Sequence, residues 1–221
     1  MYRIIARADH QIFSNKIYMF WGLYHGRKHC IIKENMGCFC LRSIMLQTAY
    51  IFKNNKGEIK MELLKERIRK EGKVLPGGII KIDGFLNHKV DTKLLAAMAE
   101  EFEKHFDLSE ATVVLTAEAS GIALATLCAN RYGLPLIYAK KAKSDNIEGG
   151  LLRSEIYSYT YKKKVTLLVS AEWLKPTDKV FIVDDFLANG EALRGLCEIV
   201  SGAGAELIGV GVAVEKGFQP G

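Results

Sequence analysis

No stretch of this chain is long and apolar enough to span a membrane. The amino terminus does not read as a secretory signal either. Arg3, Arg7 and Asp9 interrupt what would have to be an apolar core. Cysteines are few and odd in number: Cys30, Cys38, Cys40, Cys128 and Cys197. Their spacing suggests no disulfide framework. Cys128 and Cys197 sit in apolar helical stretches and read as buried thiols, which suits a reducing cytoplasm. His25, His29, Cys30, Cys38 and Cys40 do not fall into the recurring paired units of a zinc finger, so no direct metal site is expected. Internal repeats and low-complexity tracts are absent, and so is any evident Ser-His-Asp or Cys-His nucleophile arrangement.

What the chain has is an uneven distribution of charge. The net charge is +6 over 221 residues. Residues 1–60 hold 10 Lys and Arg against 3 Asp and Glu, while residues 61–221 hold 21 against 22. The basic character therefore belongs to the first segment alone, which argues against a nucleic-acid surface on the rest. Residues 1–60 scatter aromatic, basic and cysteine residues without a sustained period of 2 or 3.6. They read as an unpatterned basic extension. The segment Asn55-Lys56-Gly57-Glu58-Ile59-Lys60-Met61 admits a purine-rich ribosome-binding sequence just before a start codon. Asn35-Met36-Gly37-Cys38-Phe39-Cys40 admits nucleotides that resemble a purine-sensing leader. A translated leader followed by a natural start at Met61 is the expectation, and the actual codons test it.

From Met61 onward the pattern is regular. Helical spacing covers 61–71, with Leu64 and Ile68 on one face. Pro76-Gly77-Gly78 is a turn, and 79–82 is a short strand. Asp91 caps a helix running to about Phe106, with Leu94, Leu95, Met98 and Phe102 on its apolar side. A buried strand at 113–116 leads through Ser120-Gly121 into a helix ending at Tyr132. The strand at 136–139 follows. Residues 156–159 and 165–169 read as a β-hairpin arm carrying Tyr157 and Tyr159. The polar loop 142–152 beside it is a candidate lid. A strand at 180–183, a helix at 191–200 and a strand at 207–214 complete the chain. Alternating buried strands and helices predict a mostly parallel α/β sheet in one domain.

The most informative stretch is Val183-Asp184-Asp185-Phe186-Leu187-Ala188-Asn189-Gly190-Glu191-Ala192. Apolar strand residues are followed by two carboxylates, then by a small glycine-containing loop that opens a helix. Ligands of open α/β sheets bind beyond the carboxyl ends of strands. Such a loop can aim backbone N–H groups at a phosphate, helped by the helix dipole. Asn189 and Gly190 tolerate the backbone angles a cradle needs. The carboxylates would repel that phosphate, so they suit neighbouring hydroxyls or a metal. A phosphate beside a diol describes a ribose 5-phosphate. An ordinary strand–turn–helix with a chance Asp-Asp is the alternative.

This stretch resembles the phosphoribosyl-diphosphate (PRPP) motif of the type I phosphoribosyltransferases. The likeness extends over residues 61–221 and narrows to the xanthine-using branch. It is carried by Lys81-Ile82-Asp83-Gly84-Phe85-Leu86-Asn87-His88, by Glu118-Ala119-Ser120-Gly121, by the acidic stretch and by Glu215-Lys216-Gly217-Phe218-Gln219-Pro220-Gly221. The resemblance implies the type I fold: a central, mostly parallel sheet flanked by helices, with a small hood and a flexible loop and β-arm. It implies transfer from PRPP to xanthine, giving xanthosine 5′-monophosphate and pyrophosphate, with Mg²⁺ accompanying the pyrophosphate. A cytoplasmic homodimer, with no nucleic acid and no membrane, is the accompanying expectation. The family runs some thirty residues past the position of Gly221, so the tail is expected to be truncated.

In that frame Asp184 and Asp185 serve the ribose. Ala188, Asn189, Gly190, Glu191 and Ala192 cradle the 5-phosphate. Ser120 and Gly121 offer backbone N–H groups to pyrophosphate, although Ala119 departs from the family's usual Ser-Ser-Gly, and a plain βα turn is the alternative. Lys140 and Lys141 end the next strand within reach of phosphate oxygens, or are simply solvated. Ile80, Asn87 and Lys216 form the base pocket: apolar cover, a donor and acceptor for an oxopurine edge, and an ammonium for an exocyclic oxygen. His88 reads as structural. The competing reading is a PRPP-sensing purine regulator of the same fold that binds nucleic acid. It needs an amino-terminal helical DNA-binding module, and residues 1–60 lack amphipathic helix pairs.

Overall fold

The computed structural model describes residues 61–75, 79–141, 150–158 and 163–216, with four short strands between residues 15 and 28. Those strands are β1 (Asn15–Lys16), β2 (Met19–Phe20), β3 (Leu23–Tyr24) and β4 (Arg27–Lys28). The main body runs α1 (Glu62–Glu71), β5 (Lys73–Leu75), β6 (Ile79–Lys81), α2 (Thr92–His105), β7 (Val113–Ala117), α3 (Gly121–Tyr132) and β8 (Leu136–Ala139). It continues through β9 (Leu151–Ser158), β10 (Lys163–Ser170), β11 (Lys179–Leu187), α4 (Glu191–Gly202) and β12 (Glu206–Lys216).

The central sheet has the order β1-β12-β11-β7-β8, and its body is parallel from β12 to β8. Its middle strands are apolar on both faces because helices cover one side and α4 with the arm covers the other. Phe181 and Val183 pack with α1, α2 and α3. Val180 and Ile182 pack with α4 and with Ile156, Leu167 and Val169 of the arm. All five residues of β7 are buried. Such continuous apolar runs are the signature of a parallel strand covered twice. Cys128 and Cys197 are buried in these cores, and burial pushes the Cys128 thiol up to about 12.

Local signals place the helix ends. The Asp91 carboxylate accepts a hydrogen bond from the Leu94 N–H at 3.1 Å, the cap the sequence predicts. Between β6 and α2 the chain makes a tight strap. The N–H groups of His88 and Lys89 donate to the Asp83 carbonyl at 3.1 and 2.9 Å, and that of Asp91 to Phe85 at 3.0 Å. Phe85 and Leu86 are buried anchors of the strap. Arg67 of α1 stacks 5.6 Å from the Phe85 ring centre and lies 3.3 Å from an Asp91 carboxylate oxygen.

Four expectations change. β11 does not stop at Val183 but runs to Leu187, because β12 continues beside it and pairs with Asp184, Phe186 and Leu187. The carboxylates therefore lie within the strand. The arm is longer than its apolar letters suggest, since β9 and β10 pair without interruption from Leu151↔Ser170 to Ser158↔Lys163. β5 pairs antiparallel with β6 and was not signalled by sequence period. Finally, part of the first 60 residues is paired: Asn15 and Lys16 with Lys216 and Glu215, and Met19 and Phe20 with Gly211 and Val210. β12 presents a backbone edge, and edge pairing requires no side-chain period. The turn 76–78, residues 142–149 of the lid loop, Tyr159 and residues 217–221 lie outside the described residues.

Candidate functional site

The site forms at the carboxyl ends of β7 and β11. Asp184 and Asp185 are only 7% and 3% exposed. The Asp185 backbone N–H donates to the Asp184 carboxylate at 2.9 Å, which locks the pair together. Burial pushes the Asp184 carboxyl well above the usual carboxylate range, and the Asp185 charge adds to that shift. The hydrogen bond from the Asp185 N–H opposes it, as does the Lys141 ammonium to a smaller extent.

Asp184 is backed by the start of α3. Gly121 is the first residue of that helix, and a Cβ there would lie 2.3 Å from the Thr116 hydroxyl oxygen and 2.7 Å from an Asp184 carboxylate oxygen. Only glycine lets the helix start this close. Thr116 is fully buried, and its hydroxyl has no hydrogen-bond partner among the described residues. Sequence reading passed over Thr116, because a threonine in an apolar strand carries no local signal.

Asp185 is bound from two other elements. The Ser120 hydroxyl donates to one carboxylate oxygen at 2.9 Å, and the Asn87 amide nitrogen donates to the other at 3.0 Å. The strap, the loop before α3 and the acidic pair thus converge on one carboxylate. Asn87 itself is exposed. The loop before α3 carries a cis Glu118–Ala119 peptide bond. The Glu118 carboxylate accepts from the Lys141 backbone N–H, tying that loop to the end of β8. Lys140 is exposed, and its backbone bridges to Leu168 of the arm.

Beyond β11, residues 188–190 bend into α4. Gly190 adopts φ 74°, in the left-handed region, and its carbonyl accepts the Arg194 N–H at 2.8 Å. This is the one position of the bend where glycine's freedom is required. The first N–H groups of a helix have no intrahelical acceptor, and the dipole favours an anion there. Ala188, Asn189 and Ala192 are half-buried around this start. The Glu191 side chain turns elsewhere. It accepts from Arg194 at 2.9 Å and from the Tyr157 N–H of β9 at 3.0 Å. The Arg194 hydrogen bond holds its carboxyl below the usual range. Arg194 also donates to Glu198 at 2.6 Å and to the Glu155 carbonyl at 2.7 Å. This network, which the sequence did not reveal, fastens α4 to the arm.

The base-side candidates are less completely placed. Ile80 lies in β6, its backbone paired with Val74. Lys216 ends β12 just past Glu215, which pairs with Leu187, so its backbone reaches the same sheet end as the bend. The side chains of Ile80 and Lys216 lie outside the described residues. Among the described residues no three His, Cys, Asp or Glu side chains form a metal cluster. No described helix is long and apolar enough to cross a membrane.

Residues 86–220 match the phosphoribosyl transferase domain family. The chain is 48% identical over 161 residues to the xanthine phosphoribosyltransferase of Lachnoclostridium phytofermentans, a match covering 73% of this chain and 83% of that protein. It is 49% identical over 162 residues to the xanthine phosphoribosyltransferase of Shouchella clausii, covering 73% and 81%. Among solved structures, the APRTase of Giardia lamblia, complexed with 9-deazaadenine, superposes with a TM-score of 0.55 at 24% identity, covering 65% of this chain and 80% of that one. The adenine phosphoribosyltransferase of Rhodothermus marinus gives 0.54 at 22% identity, covering 66% and 83%. At these identities the structures bear on the fold alone: a parallel sheet flanked by helices, of the type I class.

Proposed function

The chain belongs to the phosphoribosyltransferase family, and from that premise we propose that it transfers the phosphoribosyl group of PRPP to xanthine. The products are xanthosine 5′-monophosphate and pyrophosphate, a purine-salvage reaction. The observation that carries this reading is the buried carboxylate pair at the end of β11, followed within a few residues by the Gly190 bend and the start of α4. That order of groups suits a diol and then a phosphate. Names of relatives near 48% identity supply the choice of base.

The bond from ribose C1 to the pyrophosphate oxygen breaks, and a bond from C1 to a purine nitrogen forms. The purine nitrogen gives its proton to solvent. Charge develops on C1 and on the leaving group, so positioning and electrostatics matter more than a protein nucleophile. Asp184 and Asp185 hold the ribose hydroxyls and face the developing positive charge. The backbone of residues 188–192 holds the 5-phosphate. For Glu191 that role belongs to the backbone, since its carboxylate is engaged by Arg194 and Tyr157. Ser120, Gly121, Lys140 and Lys141 serve the pyrophosphate. Ile80, Asn87 and Lys216 line the base.

The donor set fits Mg²⁺. That ion binds one or two carboxylates together with substrate phosphates rather than an all-protein cage. It would accompany the pyrophosphate, with Asp184 and Asp185 on its side of the site, and the bound ion would neutralise charge on the pyrophosphate. Residues 61–221 form the catalytic unit in this reading, and residues 1–60 an extension. The protein acts as a cytoplasmic homodimer without nucleic acid or membrane.

The test is nucleotide formation. The purified chain, PRPP, Mg²⁺ and each of xanthine, hypoxanthine and guanine are incubated and the products separated by chromatography. Xanthosine 5′-monophosphate is expected as the dominant product. PRPP binding by calorimetry without nucleotide from any base would replace the enzyme with a PRPP sensor.

A further inference from the structure

Asn87 and Asp185 lie 98 positions apart and meet at 3.0 Å. We infer that Asp185 is the positioning residue for base selection, because it fixes which way the Asn87 amide faces. The inference rests on the proposed phosphoribosyltransferase reading, in which Asn87 contacts the base.

An asparagine amide has an oxygen and a nitrogen of nearly equal size, and the two ends exchange by a half-turn. Both Asp185 carboxylate oxygens act as acceptors here, one from the Ser120 hydroxyl and one from the Asn87 nitrogen. The Asn87 nitrogen must therefore face Asp185, and the half-turn would set oxygen against oxygen. Asp185 is itself held on several sides. It is buried, its second oxygen accepts from Ser120 at 2.9 Å, and its backbone N–H is bound to Asp184 at 2.9 Å. Asn87 is held from behind by the strap, whose Phe85 and Leu86 are in the core.

With one N–H committed, the exposed Asn87 amide keeps one N–H and its carbonyl oxygen. It offers one donor and one acceptor side by side. Xanthine presents the complement at C2: a carbonyl oxygen next to an N–H. Guanine presents an amine and an N–H there, both donors, so its amine meets the Asn87 donor. Hypoxanthine presents an N–H but no oxygen, so the donor is left unpaired. Sites that recognise by hydrogen bonds reject such analogues more strongly than apolar pockets do. A free amide would turn to suit each base, and selectivity would fall.

The experiment reads ratios, which divide out any loss of PRPP binding. kcat/KM for xanthine and hypoxanthine at saturating PRPP, and Kd for xanthosine and inosine monophosphates by calorimetry, are measured on the parent, Asp185→Leu, Asp185→Asn and Asn87→Leu. Asp185→Leu is expected to lower the xanthine-to-hypoxanthine ratio by tenfold or more. Asp185→Asn, whose amide can turn either end toward Asn87, should lower the ratio less than Asp185→Leu does while turnover falls. The nucleotide Kd ratio gives the answer even where turnover is abolished. An unchanged ratio in Asp185→Leu, beside a collapsed ratio in Asn87→Leu, overturns the positioning role and leaves the base-pocket reading standing. Unchanged ratios in both overturn both. A measurement on the parent chain needs no variant: NMR should find one Asn87 side-chain N–H proton exchanging more slowly than the other. Equal, solvent-like exchange of both overturns the inference.

Discussion

Gly121→Ala adds a single methyl group, and the structure says what that methyl meets. Its Cβ would stand 2.3 Å from the Thr116 hydroxyl oxygen and 2.7 Å from Asp184, both too close to keep. Thr116 is buried and β-branched, so its χ1 is stiff and it has little space to turn into. The compliant partner is then the Asp184 carboxylate. Overpacking of this kind costs about 1–3 kcal/mol. Alanine recovers up to about 1 kcal/mol of helix propensity, and less at a first helical position than in an interior. The overpacking term wins, and a net loss of about 1–2 kcal/mol is expected. For a domain of this size that corresponds to roughly 2–8 °C in Tm. In the proposed reading a displaced Asp184 also misplaces the ribose, and about 1 Å of misplacement can cost on the order of 100-fold in rate. We expect kcat/KM for PRPP to fall between about tenfold and that limit. Gly84→Ala is the control, because nothing lies within 4 Å of its added Cβ. It should stay within about 0.5 kcal/mol of the parent. A Gly121→Ala chain with parental Tm and parental PRPP kinetics would refute the argument, since it would mean that Thr116 and Asp184 yield at no cost.

Gly190→Val places a branched side chain at φ 74°, where L-residues lose roughly 1–2 kcal/mol. It also fills the bend proposed for the phosphate. PRPP affinity should fall sharply by calorimetry while circular dichroism stays native, and an unchanged PRPP titration would remove the cradle assignment. Asp184→Asn keeps an oxygen to accept from the Asp185 N–H and removes a buried charge. The raised folded pKa of Asp184 means that the native state holds its proton more tightly than the unfolded chain does. Stability from this group is therefore fully present below the ordinary carboxylate pKa and is lost as pH rises through the raised value. The asparagine variant should match the parent in acid and exceed it in urea melts at pH 8, with turnover nearly abolished. Equal stability at pH 8 would show that the pair carries no burial penalty.

The parts of the fold that could be read in advance are those fixed by side-chain period or by one residue's chemistry. The apolar runs of β7 and β11, the helical stripe of α2 and the Asp91 cap are of this kind. The parts that could not are fixed by backbone pairing or distant packing. Two aspartates look like the end of a strand, yet β11 continues through them because β12 supplies a ladder partner. β1 and β2 pair with the edge of β12, a ladder that no side-chain period announces. Glu191 reads as part of a phosphate loop, but its carboxylate is captured by Tyr157 and Arg194, respectively 34 and 3 positions away. The Asn87–Asp185 contact joins two motifs that could each be recognised, yet nothing in either names the other.

What marks the site physically is a concentration of features that cost stability. Adjacent carboxylates are buried together, although like charges in a poorly solvated place repel. A fully buried threonine hydroxyl beside them lacks a partner among the described residues, an expensive arrangement. A glycine at the start of α3 leaves a notch that any larger residue would close. A second glycine at positive φ opens α4. Elsewhere, the two cores on either face of the sheet follow ordinary apolar packing. Sequence and fold agree where they have only stability to serve, and they conflict where several elements bring polar groups to one point. In the proposed reading a bound ribose phosphate would answer two of these features: hydroxyl donors for the carboxylates and a phosphate for the helix start. Replacing the conflicting groups with unstrained ones should therefore raise stability where the change is neutral in shape, as for Asp184→Asn, and lower it where the notch is filled, as for Gly121→Ala. In both cases ligand binding is expected to fall. Opposite signs in stability with the same sign in function are hard to obtain from residues that merely pack.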